Sequence, residues 1–79
     1  MISACLLIRS ERGRFEEVVK EIRQYKELRR IFPVLGRWDI VADLEVPDFE
    51  TLGNITARIA RMAGIVFTET LIEVKRKGE

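Results

Sequence analysis

VLGRWDIVADLEV, Val34 to Val46, sets a turn directly beside a strand. Gly36 and Arg37 interrupt an apolar run, the single tryptophan and an aspartate follow, and regular alternation then takes over. In an extended chain Trp38, Ile40, Ala42, Leu44 and Val46 fall on one side, and Asp39, Val41, Asp43 and Glu45 on the other. A glycine at the first central position suits a type II′ turn, so Gly36-Arg37 is expected to join two antiparallel strands. The run before it, LRRIFPVL at 28–35, is the partner strand. Pro33 has no N–H to give to a ladder, which confines that strand to a sheet edge or a bulge. Asp39 follows Trp38 at the lip of the turn, either on a solvated strand face or against a ligand.

The rest of the chain supplies the partners of this hairpin. ISACLLIR at 2–9 is apolar on both alternating sides, Ile2, Ala4, Leu6 and Ile8 against Ser3, Cys5 and Leu7, as for a central strand covered on both faces. Residues 14–26 carry Phe15, Val18, Val19, Ile22 and Tyr25 at helical spacing, with Glu16 and Lys20 paired on the outer face. A second helix starts at Phe49, capped by Asp48 with Glu50 in its first turn. It continues through Leu52, Ile55, Ile59 and Met62 and ends at Gly64. Gly53 lies inside this helix and weakens it by roughly 1 kcal/mol relative to alanine, tolerable where something packs closely against it. In the last run, IVFTETLIEVK at 65–75, Ile65, Phe67 and Leu71 alternate with Val66, Thr68, Thr70, Ile72 and Val74.

The order β-α-β-β-α-β, with right-handed crossovers and an edge strand 2, gives a ferredoxin-like α+β fold. It is a four-stranded antiparallel sheet with two helices on one face. The other face then stays open, and on the first and last strands it is too apolar to meet water. A second copy of the chain is the expected cover, giving a dimeric α+β barrel.

Composition limits the function. Seventy-nine residues make one small domain with a marginal core, and a single cysteine and no histidine leave neither disulfide nor metal as a staple. Self-association remains. Charged residues are 34% of the chain, with one Asn and one Gln, a thermophile tendency. A net charge of +1 with interspersed signs does not make a nucleic-acid groove, and the basic KRKG at Lys75–Gly78 reads as a solvated tail. No apolar run is long enough to cross a bilayer and the N-terminus does not read as a signal peptide, so a cytoplasmic protein is expected.

Enzyme chemistry finds little material. Without histidine there is no ordinary base near neutral pH, which counts against a relative of the dimeric α+β-barrel oxygenases, and no cofactor motif is present. Cys5, mid-strand in an apolar run, reads as a buried, inert thiol. Asp39 and Asp43 share a strand face and could pair as two carboxylates, although without a partner group a solvated or ion-paired face accounts for them better. The third strand is acidic where an RNA-binding sheet of this fold would be basic and aromatic. The turn offers more. Backbone N–H groups around a glycine can hold a carboxylate and a neighbouring aspartate can hold an ammonium, which together suit an α-amino acid zwitterion.

VLGRWDIVADLEVPDFETL and MAGIVFTETLIEV, in this order and separation, resemble the ligand-binding and oligomerisation (RAM) domain of the Lrp/AsnC transcription regulators, over nearly the whole chain. The resemblance implies dimers that pack sheet to sheet and assemble further, to octamers in many cases. It also implies an amino-acid effector held where dimers meet. Gly36 and Asp39 match the loop motif, Thr68 and Thr70 the last-strand motif, and Arg37 and Trp38 fall at variable loop positions that shape the pocket. Leu35 stands where the family often has a small hydroxyl residue, and Trp38 is bulkier than the common tyrosine. The chain begins at the first strand, without the helix-turn-helix domain of full-length regulators. It therefore resembles a stand-alone RAM protein that does not itself bind DNA and that mixes with full-length regulators or senses amino acids for another partner. A ligand-free structural oligomerisation module is the alternative.

Overall fold

The computed structural model describes residues 1–75, so most of the basic tail lies outside the described residues. The elements run β1 (Ile2–Ser10), α1 (Phe15–Ile22), β2 (Leu28–Pro33), β3 (Ile40–Val46), α2 (Phe49–Ala60) and β4 (Ile65–Ile72). All neighbouring strands are antiparallel in the order β2-β3-β1-β4. This is the ferredoxin-like βαββαβ arrangement, with the proline-bearing strand at an edge as its sequence requires.

Alternation decides what is sealed. Ala4, Leu6 and Ile8 of β1 pair with Leu44, Ala42 and Ile40 of β3, and all six are buried. Val18 and Ile22 of α1 and Leu52, Ile55 and Ile59 of α2 complete the same core, so both helices cover one face of the sheet. The opposite face carries Cys5, Leu7, Phe32 and Val41, all half-buried, with Phe67 and Leu71 exposed at 51% and 47%. None of the described elements covers it.

Several local expectations shift. Helix α1 is shorter than 14–26. It stops at Ile22, where the chain tightens into i to i+3 bonds, the Gln24 N–H to the Glu21 carbonyl and the Tyr25 N–H to the Ile22 carbonyl. Tyr25 then lies against the core, with the Arg58 guanidinium 5.4 Å from its ring centre. Helix α2 ends at Ala60, and a short turn carries the chain on to Gly64.

The hairpin is not closed by a two-residue turn. The Val34 N–H donates to the Asp39 carbonyl at 2.9 Å, enclosing a four-residue loop, Leu35 to Trp38, so β2 ends at Pro33 and β3 starts at Ile40. Ile65 does not share a side with Phe67. Arg9 pairs with Phe67 and Ser10 with Ile65, so Val66 is an inserted residue, and this bulge turns Ile65 onto the core. Cys5 is not buried within the protomer but half-exposed on the open face. Asp39 and Asp43 do not pair: Asp43 lies 3.6 Å from the Arg30 guanidinium, and Asp39 is bonded elsewhere.

Gly64 has φ +92°, and a Cβ there would sit 3.0 Å from Arg14 Cβ and 3.1 Å from Val18 Cγ2, where the loop before β4 meets α1. Its carbonyl also accepts the Glu11 N–H at 2.7 Å. Gly53 differs: it is helical and nothing lies within 4 Å of an added Cβ, so no close approach explains it. In denaturant unfolding we expect Gly64→Ala to cost about 1–3 kcal/mol, and Gly53→Ala to add about 0.5–1 kcal/mol. A neutral Gly64→Ala would remove the packing argument.

Asp48 caps α2 by accepting the Thr51 N–H at 2.8 Å, and that bond holds its carboxyl below the ordinary carboxylate range. A depressed folded-state pKa contributes stability above the ordinary range, and acid removes it as pH falls through the depressed value. Asp48→Ala should therefore lower the melting temperature near neutrality, and the gap from the parent protein should narrow in strong acid. A gap that does not change with pH would show that the charge plays no part in the cap.

Candidate ligand site

The loop Leu35–Trp38 is tied down at both ends. Gly36 takes φ +130°, which its missing side chain allows, and leaves Leu35 fully exposed beside it. Beyond the Val34–Asp39 closure, the Asp39 N–H donates to the Ile8 carbonyl at 2.9 Å. The Ser10 N–H donates to Asp39 Oδ2 at 2.9 Å, and the Arg9 guanidinium donates to the Arg37 carbonyl at 2.6 Å. The end of β1 thus fixes the loop from below, with the Asp39 carboxylate as one of the ties.

These ties send the two residues of the loop motif in different directions. Trp38 leaves the alternation of β3 and packs edge-on against Phe67, ring centres 5.1 Å apart at 69°. Phe67 pairs with Arg9 on the open face, so Trp38 belongs to that face and not to the side of Ile40. Arg9, Arg37, Trp38, Phe67, Thr68 and Glu69 line a hollow of about 710 Å³ there. Asp39 instead lines a second hollow of about 440 Å³, with Arg12, Gly13, Phe15 and Pro33 among its walls, toward the start of α1.

Of the residues singled out in the sequence, the open-face hollow brings together Arg37 and Trp38, with Thr68 bordering it from a register position on the helix-bearing side. Leu35 and Gly36 form the exposed tip. Thr70 pairs with Leu6 and lies on the helix-bearing side, as does Thr68 opposite Ile8. Sequence reasoning missed Arg9, Phe67 and Glu69. Phe67 and Glu69 are two apart on one strand and share a face, but their approach to the loop depends on the register of β1 with β4.

A third hollow, about 620 Å³, opens at the other end of the same face, among Ser3, Cys5, Arg29, Asp43, Glu45 and Leu71. Its carboxylates are held by Arg29 on Glu45 at 3.2 Å and Arg30 on Asp43. Partial burial pushes the Cys5 thiol up, and the neighbouring Asp43 carboxylate adds to the shift. That keeps the thiol protonated and unreactive near neutrality. Among the described residues, no group of three His, Cys, Asp or Glu side chains could hold a metal ion, and no helix is long and apolar enough to cross a membrane.

A sheet with one face sealed by two helices and the other uncovered among the described residues, with a tied-down hairpin loop at one end, defines a small ferredoxin-like α+β domain. The comparisons narrow this: the chain belongs to the family of the Lrp/AsnC ligand binding domain, which matches residues 3–78. It is 27% identical over 74 residues to the HTH-type transcriptional regulator FL11 of Pyrococcus furiosus, covering 94% of this chain and 49% of that regulator. The chain thus spans about half the length of such curated relatives. Among solved structures it is similar to TTHA0845 from Thermus thermophilus, at 28% identity and a TM-score of 0.91 over the full length of both chains. The regulator NMB0573 of Neisseria meningitidis, solved as an L-Met complex, shares the fold at 12% identity, with a TM-score of 0.85 over 99% of this chain and 53% of that one.

The Ser10–Asp39 bond gives Asp39 a structural function that can be measured. Asp39→Ala leaves a partly buried N–H without its charged acceptor, and we expect a loss of about 1–2 kcal/mol in denaturant unfolding. Asp39→Asn keeps an acceptor oxygen and should lose less. Equal stability of Asp39→Ala and the parent protein would count against this tie.

Proposed function

We propose that this chain is a non-enzymatic regulatory domain that associates with itself through its open sheet face and binds an amino-acid effector at the hairpin loop. The observation that carries the proposal is the loop itself. It is fixed by three hydrogen bonds to β1 and a fourth that closes the hairpin, and is flanked by hollows whose walls mix aromatic and charged groups. A binding site assembled before its ligand arrives loses less free energy to ordering. The L-Met complex of NMB0573 supports an amino acid as the class of effector, and the regulators among the relatives support transcription control in the cytoplasm as the setting. Full-length Lrp/AsnC regulators are the proposed partners, with the homodimer as the unit from which larger assemblies, octamers among them, are built.

Asp39 acts in this reading by holding the loop, one carboxylate oxygen being engaged with Ser10. Gly36 gives the tip its shape, Leu35 and Arg37 flank it and Thr68 borders the hollow beside it, while Thr70 lies farther along β4, opposite Leu6. A ligand-free oligomerisation module is the second reading, favoured by the exposed Phe67 and Leu71, since a chain this small gains most of its extra stability by covering such a face.

A thermal-shift screen of the twenty amino acids separates the two. A ligand that binds only the folded state raises the melting temperature, by about 2.7 kcal/mol of added stability at a hundredfold excess over its Kd. We expect a shift with a subset of amino acids, and native mass spectrometry should show bound mass on an even-numbered assembly. Asp39→Ala should weaken that binding while the protein stays folded. No shift at millimolar concentrations would leave the structural module as the function.

A further inference from the structure

We draw no further inference here: the strongest candidate, the exposed apolar surface patch of Phe49 at the start of α2 with Ile72 and Val74 at the end of β4, is unpartnered, and nothing in the structure shows what covers it.

Discussion

The antiparallel pairing of β1 with β3 is the constraint on which the rest of this protein depends. Register places Ala4, Leu6 and Ile8 opposite Leu44, Ala42 and Ile40, and one residue of slip would send all six to the other face. With register fixed, the helices have one side to cover and the core closes around Leu6, Ile8, Ile22, Ile40 and Ile59, each with no surface left to water. The same pairing puts Cys5 opposite Asp43 and Leu7 opposite Val41 on the side that no described element covers. The sealed core and the uncovered face are two consequences of one ladder.

Much of this is legible in the sequence, for reasons that can be stated residue by residue. Period-two runs in β1 and β3 name their own faces, the 3.6-residue spacing of Leu52, Ile55 and Ile59 names the inner side of α2, and Asp48 marks where that helix is entered. Pro33 points β2 to an edge or a bulge, where a missing N–H is tolerated, and β2 is an edge strand. These signals are local, and each follows from a single residue or a single repeat.

The candidate site is less legible because it is built from exceptions to the repeat. Two bulges, at Arg29 in β2 and at Val66 in β4, insert one residue against none on the partner strand. Alternation read along one strand cannot show an insertion that is defined only by the other strand. Ile65 therefore lands on the core, apart from Phe67. The four-residue loop, two longer than the glycine suggests, frees Trp38 from the period of β3 and lets it cross to Phe67. Arg9 was invisible as a site residue for the same reason, since it joins the loop only through a contact 28 residues away in sequence.

That placement has a thermodynamic consequence. The hollow beside Trp38 is continuous with the open face, so a ligand there touches the surface through which the chain would associate. Anything that binds the associated form better than the free protomer strengthens association, and association strengthens its binding by the same factor. A ligand wholly inside one protomer's core would have no such leverage. Nor would one bound in the hollow lined by Asp39, on the far side toward α1, act directly on that face. The divergence of Trp38 and Asp39, two neighbours fixed by the last residues of β1, therefore decides which ligand could be coupled to assembly. It does so through backbone bonds from Ile8 and Ser10 that the sequence motif alone does not reveal.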